Sequence, residues 1–219
     1  MHPLLKGLGY ECSRRRVNRL MKQAGISSNY HAYRYRHRKG VGGFSPAAEN
    51  LLAESEKATT MGEHWAGDMT YLKTKEGPLF MAAVLDLFTR KVIGWGFATN
   101  RDTSLVDGAL KMALSREKNQ VGCLFHSDQG REYRSTVYLE TLDNADMIAS
   151  MSRAGNPTDN AYVESFFGTL KNELVHHWKF KTKIECVARI IEYIEFYNET
   201  RIHSSLGYLS PVSYEAMNA

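Results

Sequence analysis

The run from His64 to Ala98 constrains the fold most. Three apolar stretches follow one another there: His64 to Thr74, Leu79 to Asp86 and Val92 to Ala98. Only Lys75-Glu76-Gly77 and Thr89-Arg90 mark turns between them. Stretches of this length, apolar and closed by turn residues, read as strands. Connections this short join antiparallel neighbours, so the three form a meander. The pattern then switches. Thr103 or Ser104 caps a helix to Arg116 with Leu105, Ala109, Met112 and Ala113 inward. Cys123 to His126 reads as a short buried strand, Ser135 to Asn144 as a helix and Met147 to Met151 as a fifth strand. A long helix runs from Thr158 to Trp178. The last helix, Thr182 to Tyr197, carries an apolar stripe through Ile184, Val187, Ile190, Ile191, Ile194 and Phe196. The order βββαβαβαα describes an α/β protein: a mixed five-stranded sheet, three antiparallel strands and then alternating helix and strand, flanked by helices. A chain of 219 residues with 43% hydrophobic content is enough for one medium domain plus appendages.

No apolar run approaches the about 18 residues of a membrane span. The opening MHPLLKGLGYECSRRR lacks the apolar core of a secretory signal. Cys12, Cys123 and Cys186 are odd in number, widely spaced and fit no zinc pattern, so they read as reduced thiols of a cytoplasmic protein. The formal charge is +4, and the basic excess is concentrated in the first forty residues. Ser13 caps a helix to Ala24, with Gly25 ending it, an apolar stripe of Val17, Leu20, Met21 and Ala24, and Arg14, Arg15, Arg16, Arg19 and Lys22 around it. The helix suits either the second helix of a helix-turn-helix or a basic amphipathic helix docked on the main domain. His31 to Lys39 interleaves Arg34, Arg36, Arg38 and Lys39 with tyrosines, a mixture suited to phosphate contact and stacking. We divide the chain into a basic helical segment and linker suited to a polyanionic partner (1–44), a connecting helix starting at Ser45-Pro46 (45–60), a main α/β core (61–180) and a C-terminal helix with a tail (181–219).

Three acids stand out against apolar surroundings. Asp68 lies inside the first strand, in HWAGDMTYL. Asp128 ends the short strand CLFHSDQG. Glu164 lies on the long helix, in NPTDNAYVESFFGTLKNE, where Pro157, Thr158 and Asp159 give the start signal. Asn160, Glu164 and Lys171 share a face of that helix. Carboxylates next to an apolar strand are costly unless they are paired or bind a cation. Three together make an oxygen-rich site for hard divalent ions, which suits phosphodiester chemistry.

The acids on the first strand, the fourth strand and the following helix resemble the ribonuclease H-like fold of retroviral integrases and DDE transposases. Asp128 and Glu164 are separated by 35 residues, 129 to 163, the spacing of the integrase-like branch. The motifs WAGDMTY, HSDQGREY, NPTDNAYVESFFGTLKNE and FYNETRIHSSLGYLSPVSYE look like those of bacterial insertion-sequence transposases. More closely, they resemble the OrfB type, encoded by the second of two overlapping frames.

The resemblance implies that Asp68, Asp128 and Glu164 are catalytic metal ligands for Mg2+, with Mn2+ as a substitute. It implies a two-metal DDE mechanism that cleaves and joins strands at element ends. It also implies that Lys171 contacts element-end DNA. Asn160, His126 and Gln129 become DNA-contacting or supporting groups, with a hydrogen-bonded core role as the alternative for His126. Arg201 and His203 belong to the tail motif, where packing or capping is the competing reading. The implied partners are double-stranded DNA at element ends and target, the product of the first reading frame, and further copies of the chain on DNA. Members of the group carry more residues ahead of the part seen here, completing a helix-turn-helix-like region. Two other functions remain open: a DNA-binding regulator or remnant without chemistry, and a ribonuclease H-like nuclease.

Overall fold

The computed structural model describes Leu5 and residues 9–25, 45–117, 120–153 and 160–218. The expected phosphate contacts Arg34, Arg36, Arg38 and Lys39, the Val41–Gly43 linker and the Pro157–Asp159 helix start lie outside the described residues. The chain divides into two units, Met1–Arg36 and His37–Ala219.

In the first unit, helix α1 (Arg14–Gln23) starts as its sequence directs, with the Ser13 hydroxyl accepting from Arg16 N–H at 3.2 Å. Gly25 follows in the left-handed region at φ 64°, which a glycine adopts without strain. Arg14, Arg15, Arg16 and Arg19 are exposed. The expected apolar stripe is narrower than its pattern: Val17 is buried, but Leu20 is half exposed and Ala24 is exposed.

In the second unit, the connecting helix is shorter than expected and starts later. Helix α2 (Leu51–Glu54) begins after Asn50, whose side chain accepts from Ala53 N–H, so Asn50 and not Ser45 is the cap. Strands β1 (His64–Thr74), β2 (Gly77–Asp86) and β3 (Val92–Ala98) form the antiparallel meander. Helix α3 (Thr103–Arg116) is capped by Asp102, one residue before the expected cap. Strand β4 (Leu124–Ser127), helix α4 (Thr136–Asn144) and strand β5 (Ile148–Met151) follow, and β4 pairs in parallel with both β1 and β5. The sheet order is β3-β2-β1-β4-β5. Helix α5 (Ala161–Glu173) ends well before Trp178, and a separate 3-10 turn, Val175–His177, takes up the rest of the expected long helix. Helix α6 (Lys183–Glu199) is capped by Thr182, and a short helix α7 (Pro211–Met217) closes the tail behind the cap Ser210.

Strand alternation divides the core in two. Ala66, Leu72, Met81, Ala83 and Leu85 face one way, packed with Val163, Phe166, Leu170, Ile190 and Ile194 of α5 and α6. Trp65, Ala82, Val84, Ile93 and Phe125 pack on the other face with Leu105, Ala109, Leu110 and Tyr138 of α3 and α4. Asp68 shares the parity of Ala66 and Leu72 and so points toward the α5 layer. Among the aromatics of the meander, Trp65 is fully buried and Trp95 partly so. Tyr71 is 51% exposed and stacks edge-on against Phe80 of the neighbouring strand.

The tail motif serves the fold. Asn198 pairs its side-chain amide with both backbone groups of Val92, at 2.9 Å each, and so occupies part of the open edge of β3. Arg201 grips Glu173 at the end of α5 through Nε and Nη2, and Tyr193 donates to the same carboxylate. His203 stacks edge-on against Tyr197 at 4.7 Å. These contacts favour packing as the role of Arg201 and His203.

Candidate active site

The sheet register sets two of the acids side by side. The β1–β4 pairing ends at Ala66↔His126, and Asp68 and Asp128 each lie two residues beyond that pair. Gly67, just before Asp68, has no room for a side chain, since a Cβ there would stand 2.7 Å from the Phe125 ring. Its carbonyl accepts from Asn160 Nδ2 at 3.3 Å, which ties the first turn of α5 to β1. Glu164 follows Asn160 by four residues and lies above the same strand, exposed, while Val163, Phe166, Phe167 and Leu170 are buried below.

The electrostatics tie the three acids together. Burial pushes the Asp68 carboxyl up to about 6, and the charges of Asp128 and Glu164 add to the rise. A hydrogen bond from Met69 N–H and the nearby charge of Arg101 oppose it. Asp128 accepts from Gly130 N–H at 2.8 Å, which fixes its rotamer. Beneath lies Tyr133, fully buried, its phenol pushed up by burial and by the charges of Tyr138, Asp68, Asp128 and Glu132. Among the described residues no three His, Cys, Asp or Glu side chains stand close enough to clasp one ion. The donor set is nonetheless all-oxygen, and a cation would relieve the charge crowding on Asp68, so the residues fit a hard divalent metal in donor type and charge.

The remaining expected site residues are distributed as follows. Lys171 is partly exposed, two turns after Glu164 on α5. Asn160 is only 4% exposed, and its side chain is turned onto the Gly67 carbonyl, where it ties α5 to β1. His126 is fully buried between the hydroxyls of Ser150 and Ser152 at 2.9 and 3.0 Å, which favours its core role. Gln129 donates to the Ser152 carbonyl at 3.0 Å and holds the turn after β4. Two groups next to Asp128 escaped the sequence reading. Glu132, within HSDQGREY, pairs with Arg101 at 3.0 Å. Glu132 stood in a quoted motif, four residues from Asp128, but Arg101 carries no local signal.

An integrase core domain model matches residues 58–157, and a second integrase core domain model matches residues 164–218. The transposase for insertion sequence element IS904 of Lactococcus lactis is 40% identical over 219 residues, covering 99% of this chain and 85% of the relative. Transposase InsF for insertion sequence IS3A of Escherichia coli is 42% identical over 174 residues, which is 79% of this chain and 60% of that protein. Among solved structures, the HTLV-2 integrase catalytic core domain, in complex with magnesium, superposes with a TM-score of 0.57 at 16% identity, over 72% of this chain and 98% of that one. That likeness carries the fold, a ribonuclease H-like α/β sheet. With integrase core matches over residues 58–157 and 164–218 and a transposase 40% identical along nearly its whole length, the chain belongs to the family of insertion-sequence transposases built on an integrase core domain.

Proposed function

We propose that this chain is a polynucleotidyl transferase that cleaves and joins DNA strands at insertion-sequence ends, using Asp68, Asp128 and Glu164 in a DDE mechanism. The observation that carries the reading is geometric: the β1–β4 register sets Asp68 and Asp128 at matching positions, and the Asn160–Gly67 hydrogen bond seats the start of the Glu164 helix on the same strand, with the charges of Asp128 and Glu164 acting on Asp68. Such a site gains from a bound cation, which would offset the crowding of negative charge. Asp68, Asp128 and Glu164 would hold Mg2+, or Mn2+ in its place. When bound, the metal would supply Lewis-acid activation of water or a 3′-hydroxyl and stabilisation of the leaving oxygen.

The chain's own residues do the rest. The β1–β4 register and the Asn160 tie seat the three carboxylates on rigid elements, which would limit the motion of a bound phosphodiester. Lys171, two turns along the Glu164 face, contacts the element-end backbone. Arg14, Arg15 and Arg16 on α1 add sequence-independent phosphate contacts, and Arg34, Arg36, Arg38 and Lys39 extend them. Two ends must be held together for joining, so the working form is an oligomer on DNA, with the product of a first reading frame as a further partner. The domain division made from the sequence belongs to the same proposal.

The test is strand joining. A labelled duplex with a recessed 3′-OH from the element end is incubated with plasmid, Mg2+ or Mn2+, and wild-type protein or Glu164→Gln. Joined product from the wild type and none from a folded Glu164→Gln variant supports the reading. Equal joining by both would refute the role of Glu164. A folded wild type that binds DNA and joins nothing, with or without first-frame protein, would favour the regulator.

A further inference from the structure

Arg101 stands between β3 and the Asp102 cap of α3, with its side chain half exposed. Its Nε–H pairs with Glu132 Oε1 at 3.0 Å, and Glu132 is 13% exposed. A single point, where a Cβ on Gly130 would stand, lies 2.7 Å from Asp128 Oδ1, 3.0 Å from Glu132 Oε2 and 3.4 Å from Arg101 Nη2. The guanidinium is therefore at the rim of the acidic site, close enough for its charge to act on Asp68.

This placement is a poor one for stability. A cation beside a helix N-terminus meets the positive end of the dipole, and an exposed ion pair adds little to folding. It is a good one for recognition. A guanidinium offers five donors in a planar fork, and an anchor on Nε leaves the Nη donors for a phosphate, with Nη2 facing the point beside Gly130 and Asp128. Gly130 is part of the same arrangement, because any side chain there would occupy the point on which the three groups converge.

We propose that Arg101 is a DNA-phosphate contact at the mouth of the acidic site and that Glu132 is the positioning residue that holds it there. Its ligand is a phosphodiester of the strand next to the reacting one. The inference rests on the reading of Asp68, Asp128 and Glu164 as the reacting site. Glu132, although acidic and next to Asp128, is in this view an anchor for arginine.

The experiment measures binding of a fluorescein-labelled duplex of arbitrary sequence by anisotropy, without divalent metal, across a salt series. Wild type, Arg101→Gln, Arg101→Lys and Glu132→Ala are compared, each with a melting curve. Arg101→Gln is expected to bind several-fold more weakly, with the slope of log K against log salt reduced by about 1. Arg101→Lys keeps the charge and is expected to retain the slope with an intermediate affinity. Glu132→Ala is expected to keep the slope but lose most strand joining, because the contact persists without its orientation. A folded Arg101→Gln variant with wild-type slope and affinity would overturn the proposal, as would an Arg101→Lys variant that loses the slope. If that happens while Glu164→Gln still abolishes joining, the inference fails and the catalytic reading stands. Full joining by Glu164→Gln would remove the catalytic reading itself.

Discussion

Replacing Asp68 with Asn removes a charge that the fold resists, and the gain can be worked out. The carboxyl is pushed from an ordinary value of 3.8 to about 6, chiefly by burial and then by Asp128 and Glu164. A raised folded pKa means the native chain binds the proton more tightly than the unfolded one. The associated stability is fully present below the unfolded value and is lost as pH rises through the folded one. At neutral pH the ionised form therefore weakens the fold, by at most about 3 kcal/mol at about 1.4 kcal/mol per pH unit. Asn keeps an oxygen for the Met69 N–H hydrogen bond, so little else need change. Melting curves recorded without divalent metal should place Asp68→Asn above wild type by about 2–10 °C near neutral pH for a chain of this size. The difference should shrink to nothing as pH falls toward 4. Asp86 is also buried and raised, but it is common to both proteins, so the comparison isolates Asp68. A variant that melts at or below wild type near neutral pH would refute the argument, because it would show the carboxylate to be held favourably. Added Mg2+ should stabilise wild type and leave Asp68→Asn nearly unchanged.

Two further outcomes follow from packing and pairing. Gly94 lies where α3 presses onto β3, and a Cβ there would meet the Ala109 carbonyl and stand 2.9 Å from Ala113. Gly94→Ala should cost about 1–3 kcal/mol, read as a lower urea midpoint with an unchanged slope. Arg201→Ala breaks the grip on Glu173, whose pKa is held below its usual value chiefly by the hydrogen bond from Arg201. A depressed carboxylate stabilises above its unfolded value and loses that effect in acid. The variant should lose up to about 1 kcal/mol near neutral pH, for a partly exposed pair. Its deficit should fade below pH about 4, as seen in paired melts across pH, and a deficit independent of pH would locate the effect in packing instead.

Much of the architecture was legible because it is local. Apolar runs closed by turn residues announced β1 to β3, and Ser13, Ser135 and Thr182 start their helices with hydroxyls that do cap them. The misses were local competitions decided by neighbours. Asp102 took the α3 cap from Thr103 and Ser104, with its carboxylate on Leu105 N–H. Asn50 took the α2 cap from Ser45, whose N–H bonds to the Arg134 carbonyl instead. The stretch Thr158 to Trp178 looked continuous, but Leu174 leaves helical geometry at ψ −60° and φ −124°, and the chain restarts as a 3-10 turn. Helix α7 went unread, although Ser210-Pro211 is a cap followed by a first-turn proline.

The sequence by itself determined the number and kind of sheet elements, the three acids and the family, because periodicity, capping and motif spacing are carried by residues near one another in the chain. Only the tertiary structure decided what those residues meet. It laid β4 against β1 so that Asp68 and Asp128 stand at matching positions, and it turned Asn160 inward onto Gly67. It closed His126 between two serines, brought Arg101 to Glu132 and set Asn198 on the edge of β3. Each of these joins groups far apart in sequence. A side chain's partners follow from how the sheet and its two helical layers pack, and no local pattern encodes that.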